Sequence, residues 1–262
     1  KMSDILSHRG PDGEGIWINP KKTAGLAHRR LAIVDLSDAA AQPFHYKDRY
    51  SIVYNGEIYN HIELKKELQK AGYHFKTESD TEVILAAFDY YKETCLQYLD
   101  GMFAFAIWDE VEQFLFAARD RFGEKPFYFH KEGDTFIFAS EMKAIWSAGV
   151  YKQIENRMLL NYITLGYVQN PAEKSQTFFK NIFSLPPAHY LILYKDDLQI
   201  ERYWNIDKQQ TIDITEEEAI SKLDELLAIS VKRRLRSDVP VGISLSGGVD
   251  SSSLLYYMNK EQ

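Results

Sequence analysis

Short runs of alternating apolar and polar residues dominate the first two hundred positions of the chain. Residues 30–35 and 50–54 are rich in β-branched and aromatic side chains, which predicts two strands. Further apolar runs within residues 102–118, 127–140 and 189–204 come in pairs around short polar turns. Each pair predicts an antiparallel hairpin.

Two segments between these strands have the apolar spacing of helices. Residues 61–71 predict one helix, with Asn60 as its N-cap and Glu63 completing a capping box. A second helix is predicted after Ser79, where Glu82 completes the same pattern. Many antiparallel strands with a few helices between them predict a layered α+β domain, in which helices cover the sheets.

The pattern changes after a polar linker at residues 205–214. Thr215 predicts the start of a long amphipathic helix, and Glu218 completes a capping box there. An apolar strand is then predicted at residues 239–245, followed by a glycine-containing loop at residues 246–251 and a helix from about Ser252. Strand, loop and helix in this order are typical of the opening of a parallel α/β domain.

Composition and charge narrow the class of protein. The 262 residues are 45% apolar, which is enough for a large core and predicts about two domains. A net charge of −7 gives no basic footprint for nucleic acid. The longest apolar stretch, residues 102–108, is too short for a membrane helix, and no leader pattern opens the sequence. With Cys95 as its only cysteine, the chain is expected to be cytoplasmic.

The loop at residues 246–251 has the chemistry of a phosphate site. Two glycines before a helix allow backbone N–H groups to approach an anion, and Asp250 is a candidate for holding Mg²⁺. The loop lacks the Walker A pattern, and an ordinary strand–helix turn with a serine cap is the alternative interpretation. The residues predicted to bind ATP are Leu245, Ser246, Gly247, Gly248, Val249, Asp250 and Ser251.

Four segments in order carry a family resemblance: HRGPDG at 8–13, HRRLAIVD at 28–35, YNGEIYN at 54–60 and ESDTE at 78–82. Together they resemble the class II (N-terminal nucleophile) glutamine amidotransferase domain of the glutamine-dependent asparagine synthetases. The loop SGGVDS resembles the pyrophosphate loop of ATP pyrophosphatases. The resemblance covers nearly the whole chain.

This resemblance implies an αββα sandwich of antiparallel sheets at residues 1–208 and the start of an adenine nucleotide α-hydrolase-like synthetase domain at residues 209–262. It implies that glutamine is hydrolysed through a thioester and that ammonia passes to a second site. There ATP and Mg²⁺ activate aspartate as β-aspartyl-AMP, and the products are asparagine, AMP and PPi. Glutamine, aspartate and ATP are the expected partners, and a homodimer is left open.

The resemblance also assigns roles in a glutamine site. The Asn55 side-chain amide and the Gly56 N–H would form the oxyanion hole. Arg30 would bind the substrate carboxylate, and Asp80 with Glu57 would pair with its ammonium group. Backbone groups of Leu31, Ala32, Ile33 and Val34 would assist Arg30. Taken singly, the residues have other interpretations: an Asn-Gly turn, a surface salt bridge of Arg30 and a helix N-terminal acid at Asp80.

The nucleophile of the resembled family is a cysteine at the mature N-terminus, with its own α-amine as base. The sequence begins with Lys1, and Cys95 is internal and predicted to be a small buried hydrophobe. We therefore expect either a preceding segment close to Met-Cys-Gly or an inactive glutaminase, and no glutaminase turnover from these 262 residues alone.

Two alternative functions stay open at this point. One is a β-lactam synthetase-like enzyme with another acceptor, because acceptor-binding residues are not identifiable in this sequence. The other is a non-catalytic glutamine-binding module. The charged residues between Arg119 and Lys125 predict a structural ion-pair network rather than a catalytic site. The histidines and the cysteine show no metal-ligand spacing.

Overall fold

The computed structural model describes residues 1–261. The chain forms two compact units. The first combines Lys1–Ala32 with Ser37–Asn205, and the second combines Ile33–Leu36 with the chain from Ile206 onward. No helix within residues 1–261 has the length and apolarity needed to cross a bilayer.

All eleven named strands lie in the first unit and pair antiparallel. The strands are β1 (Gly13–Ile18), β2 (Gly25–Arg30), β3 (Phe44–Tyr46), β4 (Tyr50–Ile58), β5 (Gly101–Asp109), β6 (Phe114–Arg119), β7 (Tyr128–Glu132), β8 (Thr135–Ala139), β9 (Phe183–Ser184), β10 (His189–Tyr194) and β11 (Asp197–Arg202). They form a six-stranded sheet in the order β11-β10-β6-β5-β4-β3, a three-stranded sheet β8-β7-β9 and the pair β1-β2. The three predicted hairpins are confirmed as β5–β6, β7–β8 and β10–β11.

Helices complete the layers of the first unit. They are α1 (His61–Lys70), α2 (Asp80–Tyr91), α3 (Met142–Ser147) and α4 (Asn156–Leu165), with 3-10 turns at Asp4–Arg9, Asp38–Ala40 and Lys92–Gln97. One apolar core lies between α1, α2 and the six-stranded sheet, and a second core lies between that sheet and the smaller sheets. Helix α3 packs against β7 and β8. The order helix, sheet, sheet, helix is the predicted αββα sandwich.

The second unit contains α5 (Glu216–Arg234) and α6 (Val249–Lys260). The predicted capping box of α5 is confirmed, since Thr215 accepts from the Glu218 N–H and Glu218 accepts from the Thr215 N–H. Segment 33–36 joins this unit through two hydrogen bonds: the Asp35 N–H donates to an Asp238 carboxylate oxygen at 2.7 Å, and the Asp238 N–H donates to the Ile33 carbonyl at 2.9 Å.

Some local predictions were wrong. The strand predicted at residues 30–35 ends at Arg30, and Asp35 has a φ of 52°, which is incompatible with a strand. Residues 239–245 form no strand, because a strand requires a paired neighbour and this segment has none in the described chain. Helix α6 begins at Val249, three residues earlier than predicted. The boundary predicted at 208/209 stays a prediction.

Both predicted capping boxes in the first unit were also wrong. The Asn60 side chain makes no cap bond and instead binds the Tyr98 carbonyl and the Asp100 N–H. The Glu82 carboxylate is buried and accepts backbone N–H groups of the preceding loop, at Lys76 and Thr77. In both cases a loop outside the helix offers donors or acceptors that need a partner once buried.

Candidate functional site

The centre of the candidate site is the edge of β4 beyond the end of its pairing with β3. Strand β3 pairs only with residues 50–52, so within the described chain residues 54–58 have no strand neighbour on that side. The Tyr54 N–H instead donates to the Gln42 side-chain carbonyl at 2.6 Å, and the Ile58 N–H donates to the Asp80 carboxylate at 2.9 Å. Two side chains thus replace the missing strand.

The Gly56 N–H points to the same edge. N–H groups alternate in direction along a strand, so those of Tyr54, Gly56 and Ile58 face the same way. On the opposite side, Gly56 is the register partner of Phe103, whose N–H and C=O both bond to Asp120 rather than to β4. The Gly56 amide is therefore directed between the two anchored positions, where an anion can approach it.

Glycine at position 56 is required by close packing. A Cβ atom there would lie 2.1 Å from the Met102 carbonyl oxygen and 2.7 Å from the Phe103 Cα. Both contacts are with backbone atoms of β5, which cannot move without breaking the strand pair. The interpretation of Asn55-Gly56 as a turn is excluded, because both residues lie inside β4.

Asn55 has an unused hydrogen-bond donor. Its side-chain Nδ2 is buried and has no hydrogen-bond partner among residues 1–261. By strand alternation the side chain lies on the same face as Val53, which belongs to the core between the two sheet layers. A buried amide donor without a partner costs about 1–3 kcal/mol, so its retention points to an acceptor supplied by a ligand.

Asp80 and Glu57 place two carboxylates near each other. Asp80, the first residue of α2, is 6% exposed and accepts hydrogen bonds from the Tyr54 hydroxyl at 2.8 Å and from Ile58 N–H. Burial raises the pKa of Asp80, while its hydrogen-bond donors oppose the rise. The pKa of Glu57 is also raised, first by burial and then by the Asp80 charge, with Lys125 opposing it. A cation close to both carboxylates would relieve this electrostatic cost.

Arg30, Leu31 and Ala32 lie at and just beyond the end of β2. The Arg30 guanidinium donates to the Ser37 carbonyl at 2.8 Å, and the Ala32 N–H donates to the Asp12 carboxylate at 2.9 Å. Leu31 is exposed. Ile33 and Val34 belong to the second unit, and their assignment to glutamine binding stays a prediction.

His28 is a site residue whose contacts the sequence did not reveal. Its Nε2 lies 3.1 Å from the Tyr54 carbonyl oxygen, and its buried Nδ1 has no partner among the described residues. Burial lowers the pKa of His28 to about 4. The ring is therefore neutral at pH 7, and because a carbonyl only accepts, the proton lies on Nε2.

The only thiol in the sequence is unsuited to nucleophilic attack. Cys95 is fully buried, and burial raises the pKa of its thiol above the ordinary range. Nucleophilic cysteines require an accessible thiolate with a lowered pKa. The prediction that Cys95 is a small buried hydrophobe is confirmed.

The predicted ion-pair network at residues 119–125 was wrong in its chemistry. The buried Asp120 carboxylate accepts four backbone N–H groups, those of Phe103, Phe122, Glu124 and Lys125. The Arg119 guanidinium donates to the carbonyls of Gly123, Lys125 and Leu185. Both charges satisfy backbone groups of a loop that has no strand ladder, so their role is structural, as expected, although they bind backbone instead of each other.

The loop of the second unit has an open, polar form. Gly247 has a φ of +81°, and no atom lies within 4 Å of the position where its Cβ would be. The Ser246 and Ser251 hydroxyl oxygens are 3.1 Å apart, and α6 begins directly after Gly248. A depression of about 450 Å³ adjoins the loop, lined by Gly247, Gly248, Val249, Ser252, Ser253, Tyr256 and Tyr257.

These features suit a bound anion. The first N–H groups of α6 have no helical partners, and glycines leave room for phosphate oxygens. Asp250 lies in the first turn of α6. Among residues 1–261 no three His, Cys, Asp or Glu side chains are grouped to hold a metal.

Two family models match different parts of the chain, in the same order as its two structural units. A family model described as a glutamine amidotransferase domain matches residues 1–204. The chain belongs to this family. A second model, described as asparagine synthase, matches residues 222–262. The predicted family resemblance is confirmed.

Curated relatives match almost all of the chain. The protein named asparagine synthetase [glutamine-hydrolyzing] 3 of Bacillus subtilis is 42% identical, with 97% of this chain and 41% of that protein covered. A putative asparagine synthetase of Methanocaldococcus jannaschii is 39% identical, with 99% and 53% covered. A Penicillium rubens protein named amidase chyE is 37% identical, with 96% and 37% covered. The chain spans about half or less of these relatives' length.

Two solved structures that are 20% identical to this chain share its fold. A glutamine phosphoribosylpyrophosphate amidotransferase from Bacillus subtilis aligns with a TM-score of 0.55 at 20% identity, covering 99% of this chain and 61% of that chain. The allosteric regulatory enzyme of purine biosynthesis aligns with a TM-score of 0.52 at 20% identity, covering 78% and 45%. The predicted α+β fold of N-terminal-nucleophile type is confirmed.

Proposed function

We propose that the first unit of this chain carries the glutamine-binding site and oxyanion hole of a glutaminase, and that its second unit begins an ATP-dependent synthetase, within an enzyme that makes asparagine from aspartate, glutamine and ATP. The observation that carries the proposal is the β4 edge, where the unpaired Asn55 donor adjoins the outward Gly56 N–H. The order of the two family matches along the chain supports the assignment of glutamine hydrolysis to the first unit and of the synthetase to the second.

Hydrolysis of the glutamine amide needs a nucleophile and a site for the oxyanion. In this proposal the nucleophile is an N-terminal cysteine ahead of Lys1, because Cys95 is buried. Its thiolate attacks the side-chain carbonyl carbon, and the oxygen that gains negative charge accepts hydrogen bonds from Asn55 Nδ2 and Gly56 N–H. The C–N bond then breaks, ammonia leaves with the proton held by the α-amine, and water hydrolyses the thioester to glutamate.

The substrate head group is zwitterionic and matches the charges around β4. Asp80 and Glu57 are desolvated carboxylates with raised pKa values, which supports a cation bound close to both of them. We assign this place to the substrate ammonium. Arg30, at the end of β2, is assigned to the substrate carboxylate, with backbone groups of Leu31 and Ala32 assisting.

The loop at Leu245–Ser251 is assigned to ATP. When bound, ATP would supply an adenylyl group to an acceptor carboxylate, with PPi as the leaving group, and AMP would leave when ammonia attacks the activated acyl carbon. Backbone N–H groups at Gly247, Gly248 and Val249 and the hydroxyls of Ser246 and Ser251 would hold the phosphates. Asp250 would share Mg²⁺ with phosphate oxygens, since Mg²⁺ is commonly bound by one or two carboxylates plus substrate phosphates. A homodimer stays a prediction.

The full-length protein, with its N-terminal residue verified, provides the test. We expect ammonia and glutamate from glutamine alone, and PPi release that depends on aspartate and ATP. Glutamine hydrolysis without aspartate-dependent PPi release would refute asparagine synthesis. No glutamine hydrolysis by a protein with a verified N-terminal cysteine would refute the glutaminase assignment and favour a glutamine-binding module.

A different acceptor is the second candidate. The protein named amidase chyE and the protein named asparagine synthetase [glutamine-hydrolyzing] 1 of Bacillus subtilis are both 37% identical to this chain, over 96% and 97% of it. The distinction lies in the acceptor, so the PPi assay should be repeated with other carboxylic acids in place of aspartate. PPi release with one of them, and none with aspartate, would establish the alternative.

A further inference from the structure

Gln42 lies beside Tyr54, the residue immediately before Asn55, at the position where a neighbouring strand would otherwise pair with β4. In the pairing of β3 with β4, Phe44 lies opposite Ile52. Continuing this antiparallel register by two residues puts Gln42 opposite Tyr54. There the Gln42 side-chain carbonyl, rather than a backbone carbonyl, accepts the Tyr54 N–H at 2.6 Å.

The backbone carbonyl of Tyr54 is also fixed by a side chain. The Tyr54 carbonyl, which belongs to the peptide group leading into Asn55, accepts from His28 Nε2 at 3.1 Å. The Gln42 amide nitrogen faces the Thr81 hydroxyl at 3.5 Å, next to Asp80 on α2. Gln42 therefore links the strand edge to the helix that carries Asp80, and both peptide groups flanking Tyr54 are fixed by side chains.

Such fixing matters because an oxyanion hole depends on donor placement within about 0.5 Å. Within an ordinary sheet a neighbouring strand supplies this rigidity, but the edge at residues 54–58 has no strand there. A shift of the Tyr54 peptide would move Asn55 and Gly56 together, since they follow directly in the chain.

We infer that Gln42 is a positioning residue for glutamine hydrolysis: its side-chain carbonyl fixes the Tyr54 peptide and so aims the donors of Asn55 and Gly56. The inference rests on the proposed glutaminase function. Gln42 touches no reacting atom in this scheme, and it acts through the strand.

The test compares variants of the full-length protein in steady-state glutamine hydrolysis. Gln42→Met keeps the side-chain length and removes the acceptor, and kcat is expected to fall about ten- to one-hundredfold with KM close to wild type. Gln42→Glu restores an oxygen acceptor and should recover most of kcat. Hydrogen exchange at the Tyr54 and Gly56 amides should quicken in Gln42→Met and return in Gln42→Glu.

Ser51→Ala is the matched control. Ser51 lies on the same strand, three residues before Tyr54, and its hydroxyl bonds His45 at 2.8 Å. This variant loses one hydrogen bond of β4, and kcat should stay at the wild-type value. Should Gln42→Met not fold, Gln42→Asn tests the same contact with one methylene fewer.

Two results would overturn the inference by itself. One is an active wild-type protein whose Gln42→Met variant keeps its kcat. The other is an equal loss of kcat in Gln42→Met and Ser51→Ala, which would reduce the effect to strand stability. A wild-type protein without glutaminase activity would instead refute the proposed function, and the inference with it.

Discussion

Replacing Asn55 with alanine should separate activity from stability. In the structure Asn55 Nδ2 is buried without a partner. Removing it relieves a cost of about 1–3 kcal/mol, whereas the space left by the carboxamide group costs about 1 kcal/mol of packing. The free energy of unfolding should therefore stay the same or rise by up to about 2 kcal/mol.

The effect on activity has the opposite sign. If Asn55 and Gly56 are the two donors to the oxyanion, Asn55→Ala removes one of them. Loss of one such donor lowers kcat by about 100- to 1,000-fold, or roughly 3–4 kcal/mol of barrier. KM should change little, because the head-group contacts assigned to Arg30 and Asp80 are untouched.

The assay pairs urea unfolding with glutamine hydrolysis, and Asn60→Ala is the matched control. The Asn60 amide is fully engaged, donating to the Tyr98 carbonyl at 2.8 Å and accepting from Asp100 N–H at 2.9 Å. Its loss should cost about 2 kcal/mol of stability and leave kcat unchanged. If Asn55→Ala loses as much stability as Asn60→Ala, or keeps its kcat, the oxyanion assignment of Asn55 is wrong.

Three further predictions concern the framework of the site. His28 has a folded pKa of about 4, below its unfolded value, so the unfolded chain binds the proton first and stability should fall as pH drops from about 6.5 to 4. His28→Gln should remove up to about 3 kcal/mol of that pH dependence in urea unfolding. Gly56→Ala should lower stability by about 3 kcal/mol or more, seen as a lower thermal midpoint, because its Cβ would lie 2.1 Å from the Met102 carbonyl; an unchanged midpoint would contradict the close approach. Asp120→Ala should cost about 3–5 kcal/mol, since four backbone N–H groups lose their acceptor, whereas the exposed Asp196→Ala should be neutral in the same measurement.

Local sequence patterns were sufficient to predict most of the helices and hairpins. The three hairpins and the helices α1, α2 and α5 follow from residue periodicity and turn chemistry, which act over a few neighbouring residues. The strand prediction that failed shows the limit of such local patterns. Residues 239–245 have the apolar composition of a strand, but strand formation depends on a partner that composition does not specify.

The predicted capping boxes also show that a local pattern does not fix the partner of a side chain. The spacing of Thr215 and Glu218 is that of Ser79 and Glu82, yet only the first pair forms the reciprocal bonds. Glu82 is drawn instead to the loop N–H groups at Lys76 and Thr77. A short motif states what a side chain is able to bind, while burial of a neighbouring loop determines which partner it takes.

The sequence by itself determined the layered α+β class, the order of the two family segments and the identity of the residues assigned to the glutamine site. Only the tertiary structure decided that Asn55-Gly56 lies within β4 instead of a turn, and that Gln42, His28 and Asp80 hold the strand around it. The physical reason is the separation along the sequence over which each interaction acts. Periodicity and turn preference are properties of adjacent residues, whereas an edge without a neighbouring strand exists only after distant segments have paired, and its exposed N–H groups then select their partners by proximity.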